Sequence, residues 1–274
     1  MEMAMAEYYL NRGDAPFGDG VWEQIDKVVV EAAKSELAGR RLLHTTEPYG
    51  LGLKALPFAD YATEEKAVEG VTMAASCVIP LTLIQSEFSL PVRDIAAYEQ
   101  SGMPLDLGPV AKAAIACARQ EDQLIFNGSE AVGVRGLFNT PGTRSIKLKA
   151  WDEVGAAVVD IIAAVTELDN AGLHGPYALA LTPKSYNHLF RLYPQGNMTE
   201  LEHARQIVTD GMVKAPAIAG GGVLLSTGGS PARLVIGQDL MAGFIGAGPG
   251  RYEFTVSETI ALWLRRPEAV CVLK

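Results

Sequence analysis

The feature that most constrains this chain is a stretch with no means of completing its own burial. Residues 50–78 show little helical period. Pro57, Gly70 and short alternating pieces predict an extended two-stranded arm there. Leu51, Leu53, Leu56 and Phe58 are its apolar side chains. An arm of this length has two faces and no core of its own. A chain that carries one is expected to bury it on a neighbouring subunit.

The rest of the chain is periodic enough to place elements. Within residues 21–43, Trp22, Ile25, Val29, Ala32, Ala33 and Leu37 recur at steps of three and four. That is one apolar helical face, with Glu23, Lys27, Glu31 and Lys34 opposite it. Gly39 should loosen the last turns before Pro48 ends the helix. A second, alanine-rich helix is expected over 107–126 and stopped by Asn127-Gly128. A third is expected over 153–168, capped by Asp152 and ended by residues 170–172. Thr182-Pro183 opens a further helix after a strand at 177–181. Thr199 with Glu202 has capping-box spacing for another. Strands are expected at 223–226, 233–236, 251–258, 260–264 and 269–273. Helices early and strands late imply an α+β fold, not repeated βαβ units.

The 274 residues are enough for one large domain or two closely joined ones. A net charge of −9 excludes the basic stripe that a nucleic-acid binder needs. No apolar run approaches the roughly twenty residues of a membrane span, and the first ten residues lack a basic secretory start. A cytoplasmic location is expected. Cys77, Cys117 and Cys271 are an odd set without CxxC spacing, expected as buried, reduced thiols.

The chemistry-bearing residues do not assemble into a recognisable site. His44, His174, His188 and His203 contain no i, i+4 pair, so no helical metal site is expected and each reads as a surface or loop histidine. The glycines at 220–222 and 228–229 lack a following Lys-Ser/Thr and read as hairpin turns. Lys184 and Ser185 are neighbours on a helix, which points them about 100° apart and argues against a dyad. Glu64 with Glu65, and Glu121 with Asp122, read as solvated or salt-bridged faces. No catalytic residue, metal or cofactor is expected.

Collinear stretches over nearly the whole chain do carry information. Ala15-Pro16, Trp22-Glu23-Gln24-Ile25-Asp26, Gly39-Arg40-Arg41 and Pro48-Tyr49-Gly50 come first. Phe88-Ser89-Leu90, Glu121-Asp122-x-x-Ile125-Phe126-x-Gly128 and Gly133-Val134-x-Gly136-Leu137 follow. Gly175-Pro176-Tyr177, Ala215-Pro216-Ala217-Ile218, Ile236-Gly237-Gln238-Asp239-Leu240 and Glu258-Thr259 complete the series. Together they resemble the family 1 encapsulins, shell proteins also known as the linocin-like bacteriocin family.

The resemblance implies the major capsid fold of tailed phages, the Hong Kong 97 phage type. It places a peripheral domain at 1–50, 79–136 and 226–274, an E-loop at 51–78 and an axial domain at 137–225. It implies self-assembly into a hollow icosahedral shell, T=1 with about 60 subunits, enclosing a cargo enzyme. Ferritin-like iron-storage proteins and dye-decolourising peroxidases are the cargo classes. By position, the cargo's C-terminal peptide would dock on Ala32, Ala33, Leu37, Arg40 and His44, with Asp239, Leu240, Met241 and Ala242. Some members have bulky apolar residues at positions 32 and 33 and an acid at 44. The five-fold pore loop would be Leu192, Tyr193, Pro194, Gln195, Gly196 and Asn197. The E-loop contacts would use Leu51, Leu53, Leu56 and Phe58. Where some relatives bind flavin through a Trp, this chain has Arg93, so no flavin is expected. Partners are other copies of the chain and the cargo, with no nucleic acid and no membrane. The rival readings are a phage capsid protein that packages DNA and a soluble hydrolase.

Overall fold

The computed structural model describes residues 8–59, 66–68, 71–73, 77–194 and 196–274. The helices are α1 (Asp19–Glu36), α2 (Gly39–Leu42), α3 (Val92–Ser101), α4 (Gly108–Asn127), α5 (Ala156–Asn170), α6 (Pro183–His188) and α7 (Glu200–Ile207). The strands run from β1 (His44–Thr45), β2 (Ala55–Ala59), β3 (Lys66–Val68), β4 (Val71–Met73) and β5 (Cys77–Pro80) to β6 (Thr82–Pro91) and β7 (Arg144–Ile146). They continue as β8 (Tyr177–Leu181), β9 (Met212–Lys214), β10 (Gly222–Ser226), β11 (Ala232–Ile236), β12 (Met241–Gly248), β13 (Arg251–Leu264) and β14 (Val270–Leu273). The chain forms two compact units, and α1, α4, β11 and β13 each pass from one to the other.

The first unit comprises residues 1–31, 47–117 and 235–261. Its sheet is built on β13, antiparallel to β6 on one side and to β12 on the other. Register sets Phe254 opposite both Phe88 and Phe244. Phe88 and Phe254 stack at 4.9 Å, and Phe17 and Trp22 pack on Phe254 at 5.8 Å. Val21, Trp22, Ile25 and Val29 of α1 are buried, as the three-and-four spacing predicts. Fully burying one such side chain contributes about 1.5–3 kcal/mol. Arg12 spans the start of this layer, over the Trp22 ring at 4.2 Å and paired with Asp26 at 2.6 Å.

Gly237 explains one of the shared motifs. A side chain there would collide with Thr259 Oγ1 and with Leu81, because Gln238 is drawn in tightly. Gln238 N–H donates to Thr259 Oγ1 at 2.7 Å, and its Nε2 donates to the Ser257 carbonyl at 3.1 Å. The arm follows the same unit. β2 pairs antiparallel with β5, and β3 with β4, as the alternation predicts. Phe58 and Val78 are exposed, while Leu51, Leu53 and Leu56 are only partly buried.

The second unit comprises residues 32–46, 118–234 and 262–274. Its five-stranded sheet has the order β7-β14-β10-β8-β9, with parallel pairs at both edges. β8 (YALAL) is buried throughout. α5 covers the sheet with Ile161, Ala164 and Leu168, packed with Leu179, Leu181, Leu224 and Leu273. Gly128 and Gly136 close the exit from α4. Gly128 has φ +70°, and a side chain on Gly136 would strike the Phe126 and Gly128 backbone.

Several expectations need correction. The third helix begins at Ala156, not 153, and Asp152 does not cap it. Gly155 stands at the cap with φ +96°, and its N–H is taken by Glu200. β13 is one strand of fourteen residues where two were expected. β6, α3 and β12 were not anticipated. Cys77 is only partly buried, unlike Cys117 and Cys271. Residues 137–225 all fall in the second unit, whereas the ranges expected for the peripheral domain are shared between both.

Candidate functional site

The stretch 32–44 lies in the second unit and is built around two consecutive acids of α4. α1 stops at Glu36 because the chain turns through Leu37 and Ala38 into α2. Ala38 and Gly39 N–H donate to the Asp122 carboxylate at 2.9 and 2.8 Å, supplying the cap that no local side chain provides. Gly39 lets this turn sit close on α4, since a side chain there would push against the end of Ile125. Burial is the main force on Asp122 and lifts its carboxyl to about 6 against these two hydrogen bonds. Glu121 is fully buried and is gripped by Arg40, Nε to Oε1 at 3.0 Å and Nη2 to Oε2 at 2.8 Å. These acids were expected on a solvated or salt-bridged face. Glu121 is paired, and Asp122 is buried against backbone instead.

Ala33 and Leu37 are buried, Ala32 and Arg40 are partly buried, and His44 is exposed. In the first unit, Asp239 is exposed and accepts the Leu240 N–H at 2.8 Å. Leu240 and Met241 are partly buried, and Ala242 is fully buried in β12. The two stretches belong to different units, and each stands as described within its own. Arg93 is exposed at the start of α3.

The 192–197 loop is a tight excursion before α7. Leu192 bridges Thr199, Tyr193 N–H donates to the Met198 carbonyl at 3.1 Å, and Gly196 N–H donates to the Tyr193 carbonyl at 3.2 Å. Leu192, Pro194, Gly196 and Asn197 are exposed, and Gln195 lies outside the described residues. The Tyr193 ring lies 4.6 Å from that of His203, and burial first, then Glu200, pushes its phenol up. Beneath the loop, buried Glu200 accepts from Arg191 Nε at 3.0 Å and from Gly155 N–H at 2.7 Å. Arg191 also donates to the Trp151 carbonyl at 2.7 Å. The Thr199–Glu202 capping box forms as its spacing predicts.

Among the described residues, the groups weighed for catalysis are not brought together in these regions. Ser185 is engaged with Thr182, whose hydroxyl donates to it at 2.9 Å, and Lys184 is exposed. Burial pushes the Cys117 and Cys271 thiols up to about 12, away from reactivity. Among the described residues, no cluster of His, Cys, Asp or Glu could hold a metal ion. No helix among them is long and apolar enough to cross a membrane.

The profile of a family described as encapsulating protein for peroxidase matches residues 7–261. The type 1 encapsulin shell protein EncA of Myxococcus xanthus is 31% identical, over 97% of this chain and 96% of that protein. The chain belongs to the type 1 encapsulin shell family. This encapsulin also matches the virus-like particle of Pyrococcus furiosus with TM-score 0.74 at 22% identity, over 93% of this chain and 99% of that one. The capsid of the Myoviridae phage XM1 matches with TM-score 0.56 at 14% identity, over 84% and 88% of the two chains. At these identities the likeness shows the fold alone, and that fold is the α+β Hong Kong 97 phage type. This encapsulin is therefore a shell-forming nanocompartment protein, and its family is a structural one.

The shared motifs now have physical reasons. Glu121-Asp122 locks the turn after α1, Gly128 and Gly136 shape the α4 exit, and Gly237-Gln238 ties into Thr259. The two acid networks were missed from the sequence because their partners lie far off. Arg40 and Glu121 are 81 residues apart, and Gly155 and Glu200 are 45 apart. The only signal for the first was the Glu-Asp pair within the family run.

Proposed function

We propose that the shell is a closed T=1 icosahedron of about 60 copies, which captures one cargo enzyme through the cargo's C-terminal peptide and performs no chemistry itself. In this reading residues 1–50, 79–136 and 226–274 form the peripheral domain, 51–78 the E-loop and 137–225 the axial domain. The supporting observation is an arm that pairs its strands yet leaves Phe58 and Val78 exposed, in a chain matched along nearly its whole length to shell proteins. Its cargo is an iron-storage or peroxidase enzyme, and small solutes pass the loop at 192–197. The shell resides in the cytoplasm, and it needs neither nucleic acid nor membrane. The acidic balance of the chain supports cargo over DNA as the content.

Burial sharpens the docking surface. Leu37 is 7% exposed and Ala33 4%, so they support the surface from beneath, while Ala32 and His44 present it. The test is coexpression with the cargo encoded beside this chain. Ala32→Glu is expected to give normal, empty particles by size exclusion and negative-stain microscopy. Leu37→Asp is expected to abolish soluble protein, because an unpaired charge would enter a buried position. Normal loading of the Ala32→Glu shells rejects docking at this stretch.

A further inference from the structure

Motifs that point nowhere separately in the sequence meet on one cavity of the second unit. The glycines at 220–222 lack the Lys-Ser that follows the glycines of a phosphate loop. Nor do they close a hairpin, since β9 and β10 flank β8 on opposite sides. The fold brings the missing dipeptide from elsewhere. Gly222 stands opposite Leu181 in the ladder, and Thr182 N–H donates to the Gly221 carbonyl at 3.2 Å. Lys184 and Ser185 come just after that tie. Lys149, Lys184, Ser185, His188, Gly220 and Gly221 line a cavity of about 730 Å³, the size of a small-molecule site.

Its donors are in place and unused. Asp160 fixes one wall by accepting from Lys149 N–H at 3.0 Å and from Trp151 Nε1 at 2.9 Å. Lys149 and Lys184 are exposed and form no ion pair among the described residues. Gly220 N–H, Gly221 N–H and His188 Nδ1 have no partner among them either. Gly221 serves the fold itself, with φ +69° and a side chain there striking the Leu273 carbonyl. Gly220 does not. It has no positive φ, and a side chain on it would meet nothing within 4 Å. No contact in the chain asks for glycine at 220, and the bare backbone leaves its N–H open to a group entering the cavity.

Lysine, serine and backbone N–H groups together fit an acceptor with several anionic oxygens. Asp152 is the single acid on the wall, against two lysines, so the balance of charge favours an anion. Leu148, Trp151 and Ile218 line the remainder, which suits an apolar group attached to that anion better than a bare ion. We propose that this cavity binds a phosphate monoester of a small aromatic group. Its phosphate lies among Lys149, Lys184, Ser185 and the Gly220–Gly221 backbone, and its ring lies against Trp151 and Ile218. The proposal is independent of the cargo, pore and arm readings.

The test is isothermal titration of closed shells and of dissociated subunits with phenyl phosphate, inorganic phosphate and phenol. Both forms of the protein are expected to bind phenyl phosphate at a single site per chain, about tenfold more tightly than inorganic phosphate, the gain from burying the ring. Lys184→Gln is expected to weaken binding about tenfold or more, as loss of a hydrogen bond to a charged group does. Gly220→Val should weaken it comparably by covering the N–H, with the melting temperature unchanged. Lys147→Gln, an exposed lysine outside the cavity, should leave the affinity as it is. If Gly220→Val fails to fold, the exposed Lys184→Gln decides alone. Absence of phenyl phosphate binding, equal affinity for inorganic phosphate, or an equal loss in Lys147→Gln overturns the proposal. Binding by subunits that disappears in closed shells also overturns it, because a neighbouring copy then fills the cavity.

Discussion

The loop at 192–197 and the arm at 50–80 are both excursions from a packed unit, and they are secured in opposite ways. The loop is held from within. Its ends bridge, Tyr193 lies on His203, and Arg191 and Gly155 converge on one buried Glu200 beneath it. The arm pairs its own strands but leaves large apolar side chains in solvent, Phe58 at 47% and Val78 at 57% exposure. One excursion is complete in a single chain, and in the proposed reading the other gains its stabilisation when copies meet. On that reading a self-satisfied loop should tolerate alteration without disturbing assembly, whereas an unsatisfied arm should not.

The strongest test of that contrast removes the arm. Deleting residues 54–70 is expected to leave a folded subunit, judged by circular dichroism, that forms no closed particles of normal size in negative stain. Closed, normal particles would mean that the arm is dispensable and that the contrast is false.

The loop's internal support should be costly to break even in the isolated subunit. Arg191→Met strands the buried Glu200 charge, and removing one member of a buried pair costs about 3–5 kcal/mol. Guanidinium denaturation of unassembled protein should show this loss. A change below about 1 kcal/mol would reduce the Glu200 network to a surface contact.

Asp122 offers a smaller effect whose sign is fixed. Burial holds its carboxyl at about 6, above the 3.8 of a free aspartate. The folded chain therefore binds this proton more tightly than the unfolded one. The contribution is fully present below about pH 4 and is lost as pH rises through about 6. Wild-type stability, measured relative to Asp122→Asn, should fall by roughly 1–3 kcal/mol between about pH 4 and pH 7. Taking the difference removes the acids whose carboxyls are held low, Glu202, Asp169 and Glu268, which lose their contribution in acid in both proteins. A flat difference would show that Asp122 stays ionised throughout.

The smallest structural effect belongs to the loop tip. Gln195→Glu should change stability by no more than about 0.5 kcal/mol and leave particle yield unchanged. Around a five-fold axis it would add a ring of negative charge that speeds a small cation and slows a small anion. Stopped-flow entry into dye-loaded shells at low salt measures both. Equal rates for mutant and wild type would remove this loop from the solute path.

Whatever rests on spacing between near neighbours was legible in the chain before it folded. The apolar face of α1, the Thr182 and Thr199 caps, the two-stranded arm and the strand-rich end all follow from local period and cap chemistry. Collinear motifs added the family, because their order and spacing hold over a whole chain in which no single residue is diagnostic. Other features took their meaning from packing. Asp152 looked like a cap, but Gly155 took the position because Glu200 reaches it from 45 residues away. Glu121 and Asp122 looked like ordinary helix-surface acids, and folding buried them against Arg40 and the turn after α1. Hydrogen-bond partners separated by tens of residues leave no periodic trace, so a buried charge and its answer are legible only once the chain has folded.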